Sequence, residues 1–331
     1  MTIFTTHFCH GGGFEKTNDR QQNTMSEEVY HVPVLLKETV DGLNIDPSGV
    51  YVDVTFGGGG HSREILSRLG SKGRLVVFDQ DAEAYANRPD DERLIFVRHN
   101  FRYIAQFLRY LDICRVDGIL GDLGVSSHHF DAPERGFSFR FDAPLDMRMG
   151  QGMKRTAADI VNTYTDKELL RVLQEYGEIQ RAGKLVGAIV KAREEQRVNT
   201  TFELRDIVTT IVGQKEQNKL LAQVFQALRI EVNGEMDALR DMLMHSAKVL
   251  RPGGRLSIIS YHSLEDRMVK NLIRSGDVGK ANAEQDIYGH SRVPFEAVTR
   301  KVIVPSDEEI ERNSRARSAK LRIAERTEIE I

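Results

Sequence analysis

Four consecutive glycines, Gly57 to Gly60, stand between a short apolar run and an amphipathic one, and they restrict the fold more than any other feature of the chain. The run before them, Tyr51-Val52-Asp53-Val54-Thr55, reads as a buried strand. The run after them, Ser62 to Leu69, places Ile65, Leu66 and Leu69 on one face of a helix. Glycines at such a junction let the backbone turn tightly and approach a ligand closely. The helix N-terminus beside them offers free N–H groups. The alternation then repeats. Leu75 to Phe78 predicts a second strand ending at Asp79, Leu94 to Val97 a third, and Gly118 to Leu120 a fourth ending at Asp122. A turn at Pro252-Gly253-Gly254 leads into a fifth, Arg255 to Ile259. Strands separated by helical patterns predict βαβ crossovers and an α/β fold with a mostly parallel sheet. Val298 to Val304 and Lys320 to Ala324 read as two late strands that would close the sheet as an antiparallel pair.

The middle of the chain has a different rhythm. Thr165 to Glu168 and Thr200 to Glu203 have capping-box spacing. Leu169, Val172, Leu173 and Tyr176 follow the first box on one helical face. Leu204, Ile207, Val208 and Ile211 follow the second, and Ala182, Leu185, Val186, Ile189 and Val190 form a stripe between them. With no strand pattern among them, residues 135–235 are expected to form an inserted all-helical subdomain that recognises the substrate. Residues 29–134 and 236–331 are expected to make the sheet domain, and 1–28 a disordered N-terminal extension without periodicity.

Of 331 residues, 40% are hydrophobic and 29% charged, the balance of a soluble globular protein. No stretch is apolar enough to span a bilayer and no secretory leader is evident. Two cysteines offer neither a disulfide framework nor zinc spacing. These features point to a reducing, cytoplasmic compartment and to no metal or membrane partner. His128, His129 and Asp131 are too few and poorly spaced for a metal site. The net charge of −3 gives no global attraction to nucleic acid, but phosphates are met by local patches. Two patches are candidates: Arg135, Arg140, Arg148, Lys154 and Arg155, then Arg312, Arg315, Arg317, Lys320 and Arg322.

Asp79 lies about twenty residues past the glycines, where a carboxylate can accept both hydroxyls of a ribose. That spacing suits an adenosine ligand without separating a dinucleotide from S-adenosylmethionine. A dinucleotide fingerprint would have glycine where Ser62 stands. Asp81 reads rather as a helix cap. Phe101, just past the third strand, could rest against an adenine or belong to the core. Asp122 ends the fourth strand in GDLGVSS, where ligands and substrates meet in open α/β sheets. The Asn/Asp-Pro-Pro-aromatic motif of many amino-methyltransferases is not present at this point. Ser263 or Asp266 is expected to cap the helix after the fifth strand.

Several motifs in order carry a resemblance. They are Val34-Leu35-Leu36, TFGGGGHS (Thr55–Ser62), GDLGVSS (Gly121–Ser127), ERGFSFR (Glu134–Arg140), PLDMRM (Pro144–Met149), PGGRLSIISYHSLEDRMVK (Pro252–Lys270) and SRARSAKLRIAER (Ser314–Arg326). The chain resembles the MraW family of ribosomal small-subunit RNA methyltransferases over about residues 29–327. The resemblance implies a class I S-adenosylmethionine-dependent methyltransferase of Rossmann-like fold with a helical insertion, acting on the N4 amine of a cytidine in 16S rRNA, in the decoding region. It implies cofactor contacts at Gly59, Gly60, His61, Asp79, Phe101 and Asp122. A further contact falls at His129, where the family often carries glutamine.

On that expectation Asp122 is the first candidate to accept an N4 proton, with Ser126 or a loop carbonyl behind it. Phe137, Phe139 or Tyr261 could stack on an unstacked base. Arg135, Arg140, Arg148, Arg315 and Arg317 are candidates to hold RNA phosphates. The competing readings are a nicotinamide-dependent oxidoreductase, a DNA-amine methyltransferase, and a non-catalytic RNA-binding assembly factor.

Overall fold

The computed structural model describes residues 33–124, 133–150, 153–285 and 292–329. The N-terminal extension expected over 1–28 lies outside them, as do Ser126, His128, His129 and Asp131. Seven strands form one sheet: β1 (Val50–Asp53), β2 (Arg74–Phe78), β3 (Leu94–Val97), β4 (Val116–Asp122), β5 (Leu250–Ser260), β6 (Phe295–Ala297) and β7 (Lys320–Arg326). Their order is β3-β2-β1-β4-β5-β7-β6. The first five run parallel, and β7 is antiparallel to both β5 and β6. This is the sheet of a class I S-adenosylmethionine-dependent methyltransferase, Rossmann-like and mostly parallel.

Helices cover both faces, which is why the central strands are continuous apolar runs rather than alternating ones. Leu75, Val76, Val77 and Phe78 of β2 are all fully buried. On one face, Val52, Val76 and Ile119 pack with Ile104, Leu108, Leu239, Leu243 and Leu272. On the other, Tyr51, Leu75 and Val77 pack with Val40, Ile65 and Leu66. From β1 the chain crosses to β2 on one side, while β4, its other neighbour, leads to β5 on the opposite side. The crevice at such a switch point, beyond the strands' carboxyl ends, is where α/β sheets bind ligands.

Helices Ala157–Thr163, Asp166–Glu175, Ala182–Glu195, Thr201–Thr209 and Gln214–Asn233 follow in sequence. Both expected capping boxes form, at Thr165 with Glu168 and at Thr200 with Glu203, and Thr156 with Asp159 makes a third. These helices share a core built from Ile160, Leu173, Leu185, Leu204, Val224 and Leu228 among others. Among the described residues, no helix is long and apolar enough to cross a membrane.

Two strand expectations need correction. The late strand expected at Val298–Val304 is β6 at Phe295–Ala297; of the expected run, the Val298 N–H donates to the Ile323 carbonyl and Ile303 bridges to β7 opposite Leu321. Val298 and Val304 are exposed, and within the run Ile303 packs against the cluster of Ile259 and Leu321. Nor does the Pro252-Gly253-Gly254 turn precede β5. The strand begins at Leu250, opposite Val116, and regains register at Arg255 opposite Gly118. The residues between bulge outward, and Gly253 takes the positive φ of 78° that this requires.

Candidate active site

The strand-to-helix turn after β1 is built on two glycines that have no substitute. Gly59 has φ 76°, and a Cβ there would come within 2.7 Å of the Phe56 ring. A Cβ on Gly60 would overlap Pro33. At Gly57 and Gly58, by contrast, a Cβ would meet nothing within 4 Å. The loop thus packs its second half against protein and turns its first half to open space. Helix Gly60–Arg68 starts directly from it with no side-chain cap, leaving first-turn amides for a ligand. Asp79, one residue past β2, ties this loop down. Its Oδ2 accepts the Gly57 N–H at 2.8 Å and its Oδ1 the Asp81 N–H at 2.8 Å. Burial pushes its carboxyl above the usual range, against the two backbone hydrogen bonds.

Beneath the loop lies a polar knot that joins β1 to β4. Asp53 is fully buried. It accepts the Ser62 hydroxyl at 2.6 Å and the Thr55 N–H at 3.0 Å. Burial again pushes its carboxyl up, opposed by the Ser62 hydrogen bond. The Thr55 hydroxyl oxygen accepts the Asp122 N–H at 2.6 Å. Ser62, at the point where a dinucleotide loop would have glycine, is therefore spent on holding the helix to the strand. His61 is buried, its Nε2 3.1 Å from the Val34 carbonyl and its Nδ1 4.0 Å from Asp122 Oδ2. It lies between the glycine loop and the end of β4.

Asp122 is the carboxylate at the centre of the crevice. Its side chain is 21% exposed. It accepts the Gly124 N–H at 3.1 Å. Burial pushes its carboxyl up, while His61, the Gly124 N–H and Tyr261 pull it down. Tyr261 follows β5, and its N–H donates to Glu265 Oε2 at 2.8 Å. The helix after β5 is capped by His262, in a capping box with Glu265, and not by Ser263 or Asp266 as expected. Those two are occupied elsewhere: Ser263 donates to Glu178, and Asp266 pairs with Arg322 at 2.7 Å.

Phe101 opens a 3-10 turn past β3 that is capped by Asn100, and its half-buried ring packs against the sheet's core. It lies beyond the strand next to Asp79, to which the backbone is linked by the Asp79 N–H and the Val97 carbonyl at 3.3 Å. Gly59, Gly60, His61, Asp79 and Asp122 thus come together at one crevice, with Phe101 at the end of the adjoining strand.

The RNA candidates divide by environment. Arg148 chelates Asp146 through Nε at 2.7 Å and Nη2 at 2.7 Å. Arg135 donates to the carbonyls of Arg148 and Met149 and lies 3.5 Å from Asp81. Both guanidiniums brace their own segment, and Asp81 is an ion-pair partner. Arg140, Lys154, Arg155, Arg312, Arg315 and Arg317 are exposed. Of the three stacking candidates, Phe137 is buried in the helical core and Phe139 packs edge-on to Phe225, with ring centroids 5.5 Å apart. Tyr261 packs against the buried cluster that holds Ile259 and Leu321.

Sequence reading gave no sign of Arg229 and Glu235. They pair at 2.8 Å across the junction of helices Gln214–Asn233 and Glu235–Val249. Glu235, His262 and Glu265 place ligand-type atoms within 4.8 Å of one another. The adjacent guanidinium balances these carboxylates, so the group ties helices to the loop after β5.

The family model described as MraW methylase family matches residues 28–327. The chain is 60% identical to the Ribosomal RNA small subunit methyltransferase H of Bacteroides thetaiotaomicron, over 91% of this chain and 98% of that one. It is 56% identical to the protein of the same name from Flavobacterium johnsoniae, over 90% of this chain and 98% of the other. With the one from Cytophaga hutchinsonii it shares 56% identity over 90% and 100%.

Proposed function

Because the chain belongs to the MraW methylase family, we propose that this methyltransferase uses S-adenosylmethionine to methylate the N4 amine of a cytidine in 16S rRNA, in the decoding region of the small ribosomal subunit. The observation that carries this reading is the convergence of the open Gly57-Gly58 turn, the Asp79 carboxylate and Asp122 at one crevice. These residues fit an adenosyl ligand. Each Asp79 oxygen accepts one backbone N–H, which leaves lone pairs for ribose hydroxyls. The uncapped helix start suits the ligand's carboxylate. When bound, the cofactor supplies an electrophilic methyl group on a sulfonium.

The chain's own contribution is positioning and proton acceptance. The lone pair of a cytosine N4 amine is delocalised into the ring, so the amine must be held close and relieved of a proton. Asp122 is the acceptor placed to do this, its backbone fixed by Thr55 and its carboxylate by the Gly124 N–H. The target base leaves its stack to reach the crevice. A dinucleotide would need close backbone approach where Ser62 is locked to Asp53, which disfavours the oxidoreductase reading. Acting on ribosomal RNA, the protein works in the cytoplasm.

The test is methyl transfer from labelled cofactor to small subunits that lack the modification, with mapping of the modified base. Label on a cytidine N4 of 16S rRNA is expected, and label elsewhere or none would reject the proposal. Exposed Arg315 and Arg317 are assigned to RNA phosphates. Their double replacement by alanine should lower the slope of log affinity against log salt by about 1.4–1.8, the counterion release of two contacts. Filter binding across a potassium chloride series reads this directly. An unchanged slope would remove both arginines from the RNA interface.

A further inference from the structure

We propose that Arg63 is a positioning residue for the cofactor: its guanidinium fixes the spacing between the glycine turn after β1 and the Asp79 loop after β2, the two grips that a ligand with both a ribose and an amino-acid end must span. This deepens the reading of the crevice as an S-adenosylmethionine site and rests on it. The glycine turn needs fastening from outside itself. Gly57 and Gly58 have no side chains and face open space, and glycine backbone is the least restrained of all. Hydrogen bonds hold the turn instead. Asp79 Oδ2 accepts the Gly57 N–H at 2.8 Å, the Phe56 carbonyl accepts the Gly59 N–H at 2.7 Å, and Arg63 Nη1 donates to the Gly58 carbonyl at 2.6 Å.

The last of these bonds belongs to a side chain with a second hold. Arg63 Nη2 donates to the Asn87 carbonyl at 2.9 Å. Asn87 follows helix Ala82–Ala86, which starts just past Asp79 and Asp81, and its N–H turns back to the Ala84 carbonyl at 3.2 Å. One planar fork thus closes a ring that runs from the glycine turn through Arg63, Asn87, the short helix and Asp79 back to Gly57. Helix geometry puts Arg63 in place for this. It stands in the first turns of helix Gly60–Arg68, where side chains lean toward the N-terminus and over the turn before them. Gly59 leaves the path clear, since a Cβ there would lie 3.2 Å from Arg63 Nη1. Two carbonyls on different loops need two donors in one rigid plane, which a guanidinium supplies and an ammonium does not.

Arg63→Ala is expected to weaken S-adenosylhomocysteine binding by about tenfold, as the charge-assisted hydrogen bonds that order the turn disappear. Affinity for methylthioadenosine, which keeps the nucleoside and lacks the amino-acid end, should stay within about twofold, because it uses the Asp79 grip alone and gains nothing from the spacing of two. Arg63→Lys keeps the charge but not the fork, and should bind both ligands as Arg63→Ala does. In turnover, KM for S-adenosylmethionine should rise while kcat at saturation stays within about twofold, the mark of lost binding rather than a lost transition-state contact. Calorimetry of the full chain with the two ligands, and initial rates on small subunits, read all of this. Equal weakening of both ligands would mean a turn that has come apart, and unchanged affinity for both a fastening without consequence; either overturns the proposal. So does full recovery by lysine, which would make Arg63 a charge partner of the ligand. If the unsubstituted protein binds neither ligand, the reading of the crevice fails, and if it binds S-adenosylhomocysteine alone, the separate nucleoside grip fails and the proposal with it. If it binds both and Arg63→Ala behaves as the parent does, only this inference fails.

Discussion

Asp122→Asn should lower methyl-transfer turnover by about 10²–10⁴-fold, the usual contribution of a positioned acid or base. Affinity for S-adenosylhomocysteine should change by less than about tenfold, because the substitution keeps one acceptor oxygen and the shape of the side chain. The local backbone does not need the charge, since the amide oxygen can still accept the Gly124 N–H. The Asp122 N–H is held by the Thr55 hydroxyl at 2.6 Å, and the Leu123 N–H by β5. What is lost is the ability to take a proton. The pH dependence has a definite sign. Burial raises the Asp122 carboxyl above its ordinary value of 3.8. The carboxylate is the active form, so the parent enzyme should lose activity as pH falls through that raised value, and Asp122→Asn should lack this limb. Single-turnover rates at saturating cofactor, with calorimetric binding of S-adenosylhomocysteine, check both halves. Full turnover in the asparagine variant would end the role of Asp122 as acceptor. A collapse of ligand affinity with little change in rate would make it a cofactor ligand instead.

Asp79→Ala is expected to weaken S-adenosylhomocysteine binding by about 10²-fold or more, as two charge-assisted hydrogen bonds to a ribose disappear together. The effect goes beyond the missing ligand contact. Asp79 also anchors the Gly57 and Asp81 N–H groups, so the glycine turn loses its tie to β2. Asp79→Asn is also damaging, because its single amide oxygen can accept only one of the two N–H groups and its NH2 faces the other. The sign of the pH effect matches that at Asp122. Burial holds the Asp79 carboxyl above 3.8, so ligand affinity should fall with pH before an ordinary aspartate would protonate. Titration calorimetry at two pH values measures this. Unchanged affinity in Asp79→Ala would displace the ribose from this carboxylate and undo the orientation of the ligand.

The parts of this crevice visible in the sequence are those set by local chemistry. Glycines before a helical stripe, and aspartates that end apolar runs, reveal themselves because chain direction and hydrophobic period decide where they lie. The capping boxes at Thr165 and Thr200 belong to the same class, since donor and acceptor are three residues apart. What stayed hidden depends on partners distant in sequence. Nothing near Asp122 shows that its N–H meets the Thr55 hydroxyl, and Arg322 looks like a free cation until Asp266 meets it. His262 displaced Ser263 as helix cap because an imidazole can accept the Glu265 N–H while Glu265 answers from below. Val298–Val304 has the composition of a strand, but its valines find no covered face. The sheet instead takes Phe295, which is buried opposite Arg326.

The placement of β7 has a consequence for how the enzyme comes into being. This strand ends the described chain, yet it lies inside the sheet, bonded to β5 on one side and β6 on the other. Just before it, Glu309 reaches back to accept the Leu35 N–H at 2.7 Å, next to the Val34 carbonyl that meets His61. The two extremities of the folded unit therefore meet at the cofactor loop. Closing the sheet waits on Lys320–Arg326, which must enter between β5 and β6 while the segment before it meets the one that opens the folded unit.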